Sequence, residues 1–141
     1  MAAVEWRVHL ASPPEAVFDA LASDPGRASF WAESAVRHGD HIDWRFPGGR
    51  TWRGPVLAED RPRKFSIGYI GGSRATFTLS PDGSGGTDVH LTDEDIGEDE
   101  VKDVLPGWVS VLLAMKAYLD HGADLRNHDR QRSWDKGYCD N

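Results

Sequence analysis

"LPGWVSVLLAMKAYLDHG" (residues 105–122) decides the fold of this chain, because it is the most apolar long stretch and yet it opens on a Pro-Gly pair. At about 100° per residue, Val101, Val104, Leu105, Trp108, Val111, Leu112, Met115 and Leu119 fall on one continuous stripe, with Lys102, Ser110, Ala117 and His121 opposite. Pro106 falls on the polar side, where water can satisfy the carbonyl that its missing N–H leaves free. The spacing therefore predicts a helix that bends there without breaking. Gly122 is placed to close it. Such a helix, about 25 residues and 37 Å long, carries a stripe of large residues that something must cover.

The rest of the chain supplies the cover. "VEWRVHL" (4–10) alternates Val4, Trp6, Val8 and Leu10 against Glu5, Arg7 and His9, the period of a half-buried strand. "SPPEAVFDALAS" (12–23) reads as a short helix: Ser12 and Glu15 have capping-box spacing, the prolines sit at its start, and Ala16, Val17, Ala20 and Leu21 share a face. Asp24-Pro25-Gly26 breaks it, and a further turn or two carries Phe30 and Trp31. From residue 35 to 93 strands alternate with turns at Gly39-Asp40, Pro47-Gly48-Gly49, Arg61-Pro62-Arg63, Gly71-Gly72 and "PDGSGG". Their apolar faces carry Ile42, Trp44 and Phe46, then Phe65, Ile67 and Tyr69, then Ala75, Phe77 and Leu79, then Val89 and Leu91. One apolar and one polar face per strand is the pattern of an antiparallel sheet covered on one side. The expected fold class is α+β, a curved antiparallel sheet of about seven strands wrapped around the long helix in the order β-α-α-β6-α.

At 141 residues the chain suits one domain, expected over 1–122, with a polar tail over 123–141 that docks on it or closes an opening. Leu125, Trp134 and Tyr138 are the tail's candidate anchors. A net charge of −7 argues against nucleic acid and anionic membranes as partners. Cys139 stands alone, so no intrachain disulfide or thiolate metal cluster is available. No basic leader or long apolar run is present, and the expected location is cytoplasmic.

Four stretches resemble one family. "HLASPPEAVFDALAS" matches its opening at Ala11, Pro13, Glu15, Val17, Phe18, Ala20 and Leu21. "WRGPVLAEDRPRKFSIGY" matches through Gly54, Val56, Glu59, Pro62 and Phe65, and "FTLSPDGSGGTDVHLT" through Leu79, Gly86, Thr87, Val89, Leu91 and Thr92. "PGWVSVLLAMKAYL" matches through Gly107, Trp108, Leu112, Tyr118 and Leu119. In this order they resemble the START-like helix-grip superfamily (SRPBCC), in its bacterial branch similar to the activator of heat-shock-protein-90 ATPase. The resemblance implies a cavity between sheet and helix. It implies less about activity, because this fold hosts carriers, cyclases, sensors and chaperone partners. Where the family's last strand often reads Thr-His, this chain reads Thr92-Asp93, so any role of that His does not transfer.

The candidate ligand-binding residues are the inward side chains: Phe30, Trp31, Trp44, Phe46, Val56, Phe65, Ile67, Tyr69 and Phe77 first. Val89, Leu91 and Asp93 follow from the last strand, and Trp108, Leu112 and Met115 from the long helix. Rings of this kind either fill a core or line a gap, and a sheet bent around a straight helix leaves a gap to be filled or lined. Asp93 alternates inward with Leu91, where burial would raise its pKa, but the commoner arrangement puts it at a frayed strand end with the acidic run "DEDIGEDE" (93–100). That run lacks calcium-loop spacing and suits the first turn of the long helix. Arg45, Arg50, Arg53, Arg61, Arg63, Lys64 and Arg74 are solvated outward charges or a docking face for an acidic partner. The six His lack metal-ligand spacing and Ser12, Ser80 and Ser84 sit at a cap or in turns, so no metal, cofactor or catalytic nucleophile is expected. The expected function is binding of a small hydrophobic or aromatic molecule between sheet and helix. The alternatives are a chaperone-interacting module, in which a chaperone or a second copy of the chain is the partner, and an enzyme of the polyketide cyclase or aromatase kind.

Overall fold

A computed structural model describes every residue, Met1–Asn141. Strand β1 (Ala2–Leu10) leads into helices α1 (Pro14–Ala22) and α2 (Asp24–Phe30). Strands β2 (Ser34–His38), β3 (His41–Arg45), β4 (Thr51–Asp60), β5 (Lys64–Tyr69), β6 (Ser73–Pro81) and β7 (Thr87–Ile96) follow, and helix α3 (Val101–His121) closes the order. All seven strands pair antiparallel in one sheet, in the order β1-β7-β6-β5-β4-β3-β2. This is the helix-grip arrangement that the periodicity predicts.

Helix α3 lays Trp108, Leu112 and Met115 into the core, with Val101, Val104, Leu105, Val111 and Leu119 half-buried around them. Pro106 stays within the helix on its exposed side, and Gly122 closes it in the left-handed conformation at φ 61°. The helix is shorter than expected, at 21 residues. The acids that were expected in its first turn lie outside it: β7 continues to Ile96, and Glu98–Glu100 form a separate 3-10 turn.

Two further expectations fail for packing reasons. Ser12 caps nothing; the N-cap of α1 is Pro13, without a side-chain bond, while the Ser12 hydroxyl donates to Leu119 O (3.0 Å) and to Asp120 Oδ1 (2.8 Å). Trp6 lies on the inward face of β1, but β1 is a sheet edge and the indole stays 53% exposed.

Helices α1 and α2 meet closely enough that a β-carbon on Gly26 would fall 2.2 Å from the Ala20 carbonyl oxygen, so only glycine fits there. Arg27, fully buried, then fixes α2: its guanidinium donates to Leu21 O (3.0 Å), Ala35 O (3.0 Å) and Asp24. Directional bonds from a buried cation orient the helix end more tightly than apolar packing does.

The tail, residues 123–141, runs from the end of α3 back toward its beginning. Arg126 donates to Ala28 O and Ala32 O, both at 2.7 Å, and so caps the C-terminal carbonyls of α2. His128 bridges Glu33 and Asp124, Ser133 is buried beside Gly48, and Trp134 lies against Gly107 of α3. Leu125 (53% exposed) and Tyr138 (40% exposed) are not anchors. Trp134 is an anchor as expected, and Arg126 and Ser133 are the others, because polar bonds to free helix carbonyls hold a chain that has little apolar surface to bury.

The C-terminal end of α3 is fastened by Asp120. Its carboxylate accepts from Ala11 N (2.9 Å), Ser12 N (3.1 Å), the Ser12 hydroxyl and Lys116. Burial alone would raise its pKa, but these donors hold it down at about 2. A depressed carboxylate contributes stability that is present above its unfolded pKa of 3.8 and lost as pH falls toward 2. Asp120→Ala should therefore cost about 2–3 kcal/mol at pH 7 in urea melts. The difference from the unmodified chain should shrink between pH 4 and pH 2.

Candidate functional site

Trp31 is the residue from which the interior is built. It follows α2 as its C-cap, where its backbone N–H bonds to Arg27 O, and the bend sends its indole between sheet and α3. There it meets Trp44 of β3 at 4.5 Å between centroids, Tyr69 of β5 at 5.7 Å, Phe77 of β6 at 5.4 Å and Trp108 of α3 at 5.7 Å. Tyr69 and Trp108 also meet at 5.1 Å, and Phe46 lies parallel to Trp44 at 5.7 Å. The space between sheet and helix is thus occupied by rings.

Asp93 faces this cluster and is 2% exposed. The frayed-end expectation is corrected: β7 runs three residues further, with Ala2 of β1 paired to Ile96, and the inward alternation carries Asp93 into the core. Trp108 Nε1 donates to its Oδ2 at 2.8 Å. Burial pushes its carboxyl pKa up, against the Trp108 and Ser73 groups beside it, which draw it down. Ser73 is close enough to favour the carboxylate electrostatically, but no hydrogen bond of good geometry joins them.

Polar atoms are left over. Asp93 Oδ1, Ser73 Oγ and Trp44 Nε1 are buried without a hydrogen-bond partner in the protein. Tyr69 accepts from Trp31 Nε1 at 3.1 Å, and burial pushes its hydroxyl pKa up strongly. An unpaired buried polar group costs about 1–3 kcal/mol, so three around one ring cluster mark a place suited to an added molecule with polar groups.

The structure divides the expected site residues. Trp31, Trp44, Phe46, Tyr69, Phe77, Asp93 and Trp108 come together. Phe65 instead packs edge-on against Phe18 of α1 at 6.0 Å, while Phe30 joins the cluster at its edge, stacked on Trp31 at 6.0 Å and on Tyr118 at 6.2 Å. Ile67, Val89, Leu91, Leu112 and Met115 are buried core, and Val56 is half-buried at its margin. Ser73 was missed; it shares the inward alternation of Ala75, Phe77 and Leu79, and a strand begun one residue earlier would have included it. Two surface clefts lie nearby, one of about 450 Å³ lined by Asp43, Trp44, Thr51, Trp52 and Arg53. The other, about 370 Å³, lies between the turn after β3 and the tail.

The family model described as "Activator of Hsp90 ATPase homolog 1-like protein" matches residues 11–120. A protein from Staphylococcus saprophyticus has a similar structure, with a TM-score of 0.76 and 23% identity over 89% of this chain and 96% of its own. The Aha1 dimer from Colwellia psychrerythraea, solved in solution, gives 0.77 at 23% identity over 86% of this chain and 98% of its own. DynU16, from the dynemicin biosynthetic locus, gives 0.74 at 18% identity over 86% of this chain and 48% of its own. At these identities the likeness is one of fold. No curated protein matches the chain.

A carboxyl whose pKa is raised on folding favours the folded state below its unfolded pKa and loses that contribution as pH rises through the folded value. Asp93→Asn keeps an acceptor for Trp108 and removes the buried charge. It should stabilise the domain at pH 7.5 by about 1–2 kcal/mol in denaturant melts, with the gain vanishing near pH 3. An unchanged difference across that range would show that Asp93 carries no burial penalty.

Proposed function

The chain belongs to the Activator of Hsp90 ATPase homolog 1-like protein family, and from that premise we propose that it binds a small aromatic or apolar molecule within the ring cluster between sheet and α3. The observation that carries this reading is the set of unpaired polar atoms, Asp93 Oδ1, Ser73 Oγ and Trp44 Nε1, buried among large rings. A core selected only for stability is built from side chains without such groups. A ligand with one or two polar groups would meet them while its body replaced ring-on-ring contacts. The rings hold the space when it is absent, and binding shifts them aside.

Binding fits the site better than catalysis. Asp93 and Tyr69 are the titratable groups facing the cluster, and burial drives both toward their neutral forms. Each already accepts an indole N–H, Asp93 from Trp108 and Tyr69 from Trp31, and no hydrogen bond joins the two as an acid–base pair. The chaperone-docking alternative rests on the family's name. Four of its seven candidate cations are paired within the chain: Arg53 with Asp43, Arg61 with Asp19, Arg63 with Asp60 and Arg74 with Glu94. A second copy as partner is supported by the dimer of the Colwellia protein.

Trp108 separates a plug from a wall. With N-phenylnaphthylamine as a neutral aromatic probe, the unmodified chain should bind saturably and melt several degrees higher at saturating probe. Trp108→Ala should lose about 3–5 kcal/mol of stability and change probe affinity by about tenfold. If no aromatic probe raises the melting temperature, the binding reading fails.

A further inference from the structure

The cleft of about 370 Å³ is lined by Glu33, Arg45, Phe46, Pro47, Gly48, Gly49, His128 and Arg130. Its ring wall, Phe46, is the outer end of the cluster, parallel to Trp44 at 5.7 Å and edge-on to Tyr69 at 6.1 Å. From Trp44 the rings continue to Trp31 at 4.5 Å. The cleft is where the aromatic interior reaches the surface.

Its charges are unusual for this chain, whose net charge is −7. Acids are plentiful, and nine of the 16 Lys and Arg side chains are in ion pairs. Arg45 and Arg130 are among the residues lining this cleft, and neither guanidinium has an acid or a carbonyl as partner; Arg50, equally free, ends the same turn. Glu33, the acid in the cleft, is occupied by His128 Nδ1 at 2.9 Å. Gly49, at φ 91°, keeps the turn flat beneath Arg130, whose Nη2 lies 3.5 Å from where a β-carbon would stand. Two guanidiniums without partners on one cleft beside a ring suit an oxyanion, which a guanidinium binds through paired N–H donors.

Resting on the reading of the ring cluster as a ligand site, we propose that the cleft holds the oxyanion of an aromatic acid, a carboxylate, sulfonate or phosphate, between Arg45 and Arg130. The ligand's ring stacks on Phe46 and leads inward. The interior then selects the body of the ligand, and the cleft selects its charge.

Two dyes with the same ring systems test this on the full chain: anilinonaphthalene sulfonate, which carries the anion, and N-phenylnaphthylamine, which does not. The sulfonate should bind about tenfold more tightly, with an advantage that falls as salt rises. Arg45→Gln with Arg130→Gln should abolish that advantage and leave the neutral dye's affinity and the melting temperature unchanged. Arg7→Gln, which removes a free cation from β1, should alter neither. Equal binding of the two dyes, or a double variant that still prefers the sulfonate, would overturn the oxyanion site while the ligand reading stands. If neither dye binds, both fall together.

Discussion

The indole of Trp31 is the contact on which the domain closes. A strongly curved sheet and a straight helix diverge: Trp108 of α3 reaches Tyr69 of β5 at 5.1 Å, but its ring pairs include none from β3. Trp31 stands in that gap and touches rings from β3, β5, β6 and α3. Each ring pair contributes about 0.5–1.5 kcal/mol beyond the area it buries. The larger consequence is positional, since one side chain sets the spacing of four elements. Its own place follows from Arg27, whose buried guanidinium ties the end of α1 and the start of β2 to α2 through the Leu21 and Ala35 carbonyls.

Filling a gap with indoles and a phenol differs from filling it with leucines. Each indole brings an N–H and the phenol an O–H, and a low-dielectric interior makes an unmet one expensive. Trp31 and Trp108 find acceptors in Tyr69 and Asp93, while Trp44 does not. Asp93 answers Trp108 only by burying a carboxyl, and its second oxygen is stranded. The cluster is therefore dense in rings but incomplete in hydrogen bonds. Incomplete hydrogen bonding of this kind is a departure from apolar filling that folding alone does not favour.

Periodicity made most of the fold legible. The alternation of β3, β5 and β6 and the stripe of α3 each report a buried face directly, and the order of elements did the rest. What stayed hidden depends on partners distant in sequence. Ser12 looks like a cap until Asp120 arrives from 108 residues away, and Arg126 looks like a solvated tail charge until it meets the carbonyls of α2. Asp93 was ambiguous because its alternation pointed inward while its acidic neighbours pointed outward. The pairing of Ala2 with Ile96 keeps the strand extended past it, and no local signal reports that pairing. The ring cluster was legible as a set of inward aromatics. Its division into a site around Trp31 and a separate packing of Phe65 on Phe18 was not, because α1 and α2 approach the sheet from an angle that residue types do not encode.

The two ends of α3 are held by different physics. At the C-terminal end, a buried carboxylate with several donors joins helix to strand, and Gly122 terminates the backbone cleanly. At the N-terminal end, no side chain caps the helix, Pro106 removes one of its backbone bonds, and the neighbours are stacked rings and a tail held partly by ion pairs. Charge-assisted bonds to buried backbone resist displacement, whereas exposed ion pairs contribute little and are screened by salt. The N-terminal half of α3 is therefore held by ring packing and the buried Trp108–Asp93 bond, and its C-terminal end by the Asp120 carboxylate. The ring cluster, the unpaired polar atoms and the cleft at Phe46 all lie toward the N-terminal end of α3.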